Sequence, residues 1–232
     1  ALANEAQARN DGFMPLDEIG QGANKKQVGD TAYTLFNGIG KMQGAKEGGN
    51  RDLMRWRTLA FSTGETDLES YLLTAGLKTH AGQLVRLLNI PIQRATHFHH
   101  HQDGKTHADH LNFASRTYYG AIGRAWITYL TEHKDDAQKL YHKTLLKWQE
   151  RLPDDASAQV KRVTNRFALL ETALQLATGL TGWTAEDNSE AMISAFNLWV
   201  NEFGFYSREE KQVIEQVNGW LLRSGARFIE YP

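Results

Sequence analysis

Residues 12–18 read GFMPLDE, and residues 56–64 read WRTLAFSTG. Each is a short apolar run with a polar end. The first closes on the adjacent carboxylates Asp17 and Glu18, the second on Ser62, Thr63 and Gly64. Runs of this length and texture are the pattern of buried strands, and strands alternating with helical sequence belong to parallel sheets, whose ligands sit at the carboxyl ends of the strands. Between the two runs, residues 24–36 predict a helix, and residues 38–57 predict a hairpin turning at Gly48, Gly49 and Asn50. A third strand is expected over residues 84–90, LVRLLNI. Pro15 is discordant, because it removes a ladder donor from what should be a central strand.

The remainder of the chain has a different texture. Nine of the 20 glycines fall within residues 1–50, whereas from Asp109 onward apolar residues recur at spacings of three and four, as in Val160, Val163, Phe167, Leu170 and Leu174. These are amphipathic helices. PDDAS before Ala158, Thr184 as an N-cap, and Ser207-Arg-Glu-Glu with capping-box spacing mark helix starts. The first residues, ALANEAQARNDGF, form a helical pattern without a signal peptide and read like a chain cut within a domain.

The 232 residues carry 26 Lys+Arg against 27 Asp+Glu and no Cys. That balance excludes a uniformly basic nucleic-acid binder, though not a local basic patch. The lack of Cys excludes thiol nucleophiles, thiolate metal sites and disulfides, and it fits a reducing compartment, taken as the cytoplasm. No apolar run is long enough to span a membrane. No internal repeat is found, and no Ser/His/Asp triad stands out. From Lys41 to Arg57 five basic residues face two acidic ones, an excess that suits phosphate contact.

In chain order, residues 16–65 present two acids, a helix, a basic hairpin, a strand and a polar tip. This order resembles the core of a AAA+ ATPase from Walker B through the pre-sensor hairpin to sensor 1, most closely its MCM-like branch. NGIGKMQG (37–44), STGE (62–65), AGQLVRLLNIP (81–91), YYGAIGRAW (118–126) and VTNRFALLETALQLATGLTGW (163–183) are similar to the bacterial family of domain of unknown function 927, found in helicase-like proteins of mobile genetic elements and prophages. The resemblance spans nearly the whole chain.

It implies an α/β fold, α+β in the residues present, with two domains. Residues 1–95 would be the distal part of a AAA+ P-loop-type parallel sheet with its pre-sensor hairpin, and residues 96–232 an all-α lid and helical bundle. It also implies roles. Asp17 would organise Mg²⁺ through water and Glu18 would polarise the attacking water. Thr63, with Ser62, would sense the γ-phosphate, and Arg86 would reach the neighbouring subunit's ATP as an arginine finger. Arg162 or Arg166 would be the sensor 2 arginine, while Lys41, Lys46 and Arg51 would face DNA, taken as single-stranded, in a hexameric ring.

The sequence departs from the family pattern at one point. It has no Gly-x4-Gly-Lys-Ser/Thr loop, and GIGKM at 38–42 lacks both the spacing and the hydroxyl. The phosphate loop is therefore expected upstream of Ala1, in a longer helicase-like ATPase of which these residues would be an inactive piece. The alternative is an inactivated helicase derivative serving as a DNA-binding or assembly module.

Two further features invite functional readings. Residues 97–110, HFHHHQDGKTHADH, could assemble a zinc set from His99, His101, His107 and His110 with Asp103 or Asp109, which together with Asp17 and Glu18 suggests a metal-dependent hydrolase. A polar, partly exposed loop is the preferred reading. The six tryptophans, at 56, 126, 148, 183, 199 and 220, are read as core residues rather than base-stacking platforms.

Overall fold

The computed structural model describes residues 2–17, 34–40, 42, 44, 48–49, 52–74, 76 and 81–224. The chain divides into two compact units, residues 1–89 and 90–232.

In the first unit, helix α1 (Leu2–Ala8) is built almost wholly from strong helix formers. It ends as Asp11 enters the left-handed region at φ 59° and Gly12 N donates to Arg9 O at 2.9 Å. Strand β1 (Gly12–Leu16) follows, and it pairs in parallel with β2 (Thr58–Ser62), Gly12 opposite Thr58 and Leu16 opposite Ser62. Both strands fall where the apolar runs predict them.

Alternation then sorts the side chains. Met14 is buried with Ala6, Leu35 and Trp56, and Leu2, Ala3, Leu16, Phe36, Met54 and Ala60 pack against that cluster. Phe13, Leu59 and Phe61 point to the other face and are more than half exposed.

Pro15 fits this pairing. Thr63 N donates to Leu16 O at 3.3 Å, so the polar backbone atoms of Leu16 face β2. Those of Pro15, one residue earlier, face away from it. The missing donor falls on the side away from β2, which makes no demand on it.

The ends of the expected hairpin meet in antiparallel fashion. Ile39 bridges Arg55, Gly40 N donates to Met54 O at 2.8 Å, and Trp56 N donates to Gly38 O at 3.0 Å. Gly38 has φ +70°, and a Cβ there would lie 2.8 Å from Trp56 O. Glycine is required at that position. The Trp56 ring is anchored by its own Nε1, which donates to Leu35 O at 2.8 Å.

Residues 84–90 are a correction. The segment is not a strand: helix α3 (Ala81–Leu84), which follows α2 (Leu68–Leu73), runs into turns at 85–87 and irregular chain beyond. A short apolar run is ambiguous between the two states, and this one has helical neighbours on its N-terminal side and Pro91 to stop it.

The second unit is helical: α4 (Gly104–Thr117), α5 (Ala121–Glu132), α6 (Lys134–Gln149), α7 (Ala158–Leu176), α8 (Thr178–Thr181), α9 (Ala185–Phe203) and α10 (Arg208–Ser224). Its core is formed by α6, α7 and α9. Trp148, Phe167 and Phe196 meet with ring centroids 5.3–5.7 Å apart, and Trp199 stacks on Phe203 at 4.8 Å. Val160, Val163, Ala168 and Val200 complete it.

Two polar side chains inside this core are satisfied, while Asn165 Oδ1 on α7 is shielded without a partner among the described residues. Trp148 Nε1 donates to Glu171 Oε2 at 2.6 Å, and Asn188 Nδ2 donates to Leu174 O at 3.0 Å. The helix starts follow the expected caps: Ser157 accepts from Val160 N, Thr184 and Asp187 form a reciprocal capping box, and Ser207 accepts from Glu210 N. By contrast α4 and α5 bury no residue. Trp56, Trp148 and Trp199 are core residues, whereas Trp183 and Trp220 are exposed, which corrects the all-core expectation.

Candidate functional site

The parallel pairing places the C-terminal ends of β1 and β2 side by side. Asp17 follows β1 and Thr63 follows β2, and Thr63 Oγ1 donates to Asp17 Oδ1 at 3.1 Å, joining residues 46 apart in sequence. The Thr63 backbone is fixed by its bond to Leu16 O, and Ser62 Oγ donates to Thr63 O at 3.2 Å. Among the described residues, Asp17 Oδ2 accepts no hydrogen bond, and the carboxylate is exposed. One oxygen is held and the other faces solvent. That arrangement suits a carboxylate gripping a hydrated cation, since Mg²⁺ sheds water reluctantly and is bound through one or two carboxylates with several waters retained.

The opposite end of the strand pair holds a second arrangement that sequence reasoning did not single out. Arg57 N donates to Asn10 Oδ1 at 2.7 Å, Asp11 N donates to Arg57 O at 2.6 Å, and Arg57 Nε meets Asp11 Oδ1 at 2.8 Å. These bonds pin the entry of β1 to the entry of β2 and so set the register that delivers Asp17 to Thr63. The signal available was a pair of opposite charges, each one residue ahead of a strand. Arg57, counted with the basic hairpin, is engaged here.

Other residues singled out by the sequence are placed as follows. Glu18, Lys41, Lys46 and Arg51 lie outside the described residues. Gly48 and Gly49 carry φ of +91° and +77°, as a tight turn requires. Arg86 is half-buried, and its Nη1 donates to Gly82 O at 2.8 Å, one helical turn back. Arg162 and Arg166 are one turn apart on the exposed side of α7, away from buried Val163 and Phe167.

The acids of the first unit and the histidines of the second belong to separate compact units. Among the described residues, no group of three or more His, Cys, Asp or Glu side chains is placed to hold a metal ion. Two of the carboxylates expected as ligands have other partners. Asp103 caps α4, and the Thr106 backbone and side-chain hydrogen bonds hold its carboxyl below the usual carboxylate range. Asp109 accepts from Lys105 Nζ at 2.6 Å, a bond that raises the lysine. His101 is shifted down by desolvation and by the neighbouring His100, His110, His107 and His99 imidazoles. Among the described residues, no helix is long and apolar enough to cross a membrane.

No curated protein and no solved structure matches the chain. Residues 1–55 match the family described as Domain of unknown function (DUF927). The matched span takes in α1, β1, Asp17 and both edges of the hairpin base, and it ends before β2; the motifs at 62–65, 81–91, 118–126 and 163–183 lie beyond it. Asp17 and Glu18 thus lie within the part of the chain that is similar to the family of domain of unknown function 927.

Proposed function

We propose that the first unit is the distal part of a AAA+ ATPase core, and that the chain belongs to a helicase-like motor acting on DNA. One observation supports this reading above the rest. A carboxylate and a hydroxyl stand hydrogen-bonded at the carboxyl ends of two adjacent parallel strands, with an antiparallel hairpin base between those strands in sequence. Parallel sheets collect ligands at that edge.

On this reading Asp17 would hold a hydrated Mg²⁺ through Oδ2, while the single hydroxyl proton of Thr63, donated to Asp17 Oδ1 in the structure, would turn to the γ-phosphate when nucleotide is bound. Glu18 takes a proton from the attacking water. Ser62 supports Thr63, and Arg86 leaves its contact with Gly82 to stabilise charge on the ATP of the adjoining subunit in a hexameric ring. Arg162 or Arg166 contacts nucleotide from the lid, and Lys41, Lys46 and Arg51 bear on single-stranded DNA. Nucleotide binding itself calls for a phosphate loop, which these 232 residues lack.

That lack favours a second reading, an inactivated derivative that binds DNA or assembles without hydrolysis. ATP turnover by the full-length gene product, with and without single-stranded DNA, separates the two. The motor predicts DNA-stimulated turnover that falls by roughly 10²–10⁴ in Glu18→Gln. No turnover from a folded full-length protein supports the binding module, and turnover indifferent to Glu18 overturns the site assignment.

A further inference from the structure

The helical unit presents one surface that the proposed ATPase chemistry does not use. Helix α4 ends at Thr117 and α5 begins at Ala121, and the chain turns between them through Tyr118, Tyr119 and Gly120, the glycine at φ +84°. Every residue from Ser115 to Ala125 is exposed. Tyr118 and Tyr119 are 72% and 81% exposed, and Phe113 on α4 and Ile122 on α5 each leave more than half of their surface in solvent. Tyrosine is ordinarily intermediate in burial, so two adjacent rings this bare leave apolar area for a partner to cover.

Charge narrows the choice of partner. From His110 to Thr131 the sequence carries Arg116 and Arg124 and no Asp or Glu, in a chain with 27 acids. Among the described residues neither guanidinium forms an ion pair or a side-chain hydrogen bond. The carboxylates of α4 and its cap are engaged elsewhere, Asp103 with the Thr106 amide and Asp109 with Lys105. Arg116 lies in the last turn of α4, and Arg124 N bonds Gly120 O at 3.3 Å, so the two cations bracket the tyrosines within about one helical turn on either side.

Exposed rings between unanswered cations suit a polymer that carries phosphates and flat bases together. A duplex fits less well, because its bases are stacked on one another and offer edges rather than faces. A second copy of the same surface also fits less well. Two-fold pairing would set arginines beside arginines with no carboxylate between them.

We propose that the elbow between α4 and α5 binds single-stranded DNA, with Tyr118 and Tyr119 stacking on unpaired bases and Arg116 and Arg124 meeting the phosphates. The choice of DNA over RNA rests on the motor reading above, whereas the surface and the single strand follow from the residues of the elbow.

The test measures fluorescence anisotropy of a labelled oligothymidylate of about 20 nucleotides, longer than the usual single-strand site, with the chain of 232 residues. An oligouridylate and a duplex of the same length run beside it, across potassium chloride concentrations. Tyr118→Ala and Tyr119→Ala should each weaken binding roughly fivefold or more, and Tyr119→Phe should retain it, because the ring and not the hydroxyl stacks. Arg116→Gln or Arg124→Gln should lower the salt slope by about 0.7, while the tyrosine variants leave the slope unchanged. Circular dichroism of each variant checks that the helices persist. Wild-type affinity in the elbow variants while Lys46→Ala weakens binding would overturn this surface and leave the motor reading standing. No binding by the wild type would also overturn it, and the motor would then stand or fall on ATP turnover alone. Tighter binding of the oligouridylate or the duplex would overturn the choice of partner, and a concentration-dependent dimer abolished by Tyr119→Ala would give the face to a second copy instead.

Discussion

Arg57 Nε lies 2.8 Å from Asp11 Oδ1, linking the residue that precedes β2 to the residue that precedes β1. The side chains are 83% and 55% exposed, so solvent screens the charge pair. The backbone bonds beside it, Asp11 N to Arg57 O and Arg57 N to Asn10 Oδ1, carry more of the clamp. Arg57→Ala is expected to cost less than about 1 kcal/mol, and Asn10→Ala about 1 kcal/mol. Amide exchange in β1 and β2 measures both; a larger loss for Arg57→Ala would make the ion pair the principal tie.

Two left-handed glycines should respond differently to alanine. At Gly38 the new methyl meets Trp56 O at 2.8 Å, whereas at Gly48 nothing lies within 4 Å. Both substitutions incur the left-handed penalty of about 1–2 kcal/mol, and Gly38→Ala adds a backbone displacement. The Trp56 indole proton, bonded to Leu35 O, is the reporter. Its resonance should shift in Gly38→Ala and stay in place in Gly48→Ala.

The Trp148–Glu171 contact joins α6 to α7 through a charged acceptor at 2.6 Å. Trp148→Phe should destabilise the helical unit by about 2–3 kcal/mol, since it removes that bond and some ring volume. Glu171→Gln should cost less when added to Trp148→Phe than when made alone, with a coupling of about 1–2 kcal/mol. Urea unfolding of the wild type, the two single variants and the double variant gives the cycle, and strict additivity would mean the bond contributes nothing.

Asp103 sets a pH dependence whose sign is fixed by its depressed carboxyl. A folded value below 3.8 means the cap contributes its full stabilisation above the unfolded value and loses it as pH falls through the folded one. The Thr106 amide should therefore lose exchange protection at acid pH below about 4. Asp103→Asn keeps an accepting oxygen at the cap, and its protection should stay flat over that range.

If the hairpin tracks DNA, Lys46→Ala in the full-length protein should weaken single-strand binding and lower the salt slope by about 0.7, one phosphate contact's share. Measured across potassium chloride concentrations, an unchanged slope would remove the hairpin from the DNA path.

Local chemistry is the legible part of this chain. Ser157 and Thr184 announce helix starts because a cap is written within four residues, and β1 and β2 announce themselves by short apolar runs with polar ends. The 84–90 segment misleads because so short a run satisfies either period, and its neighbours decide. Periodicity also tells which face Trp220 shares with Val213 and Val217, but not whether anything covers that face, and all three are exposed. At the candidate site the residue types are readable, while the hydrogen bond between Asp17 and Thr63 is not. It depends on a register set at the far end of the strands by Asn10, Asp11 and Arg57. The histidine spacing is readable as well, whereas the contact of the Phe98 ring with Gly104 is one no spacing rule contains.

Pro15 has a consequence for the molecule in a crowded solution. Exposed strand margins invite copies of a chain to stack edge to edge, the first step toward fibrils. Among the described residues β1 has no partner on the side away from β2, and a strand arriving there would meet ring methylenes where it seeks an amide proton, at the fourth of five positions. The imino acid that looked out of place in a sheet thereby denies a pairing strand one bond on the side away from β2, and it does so without weakening the bonds to β2.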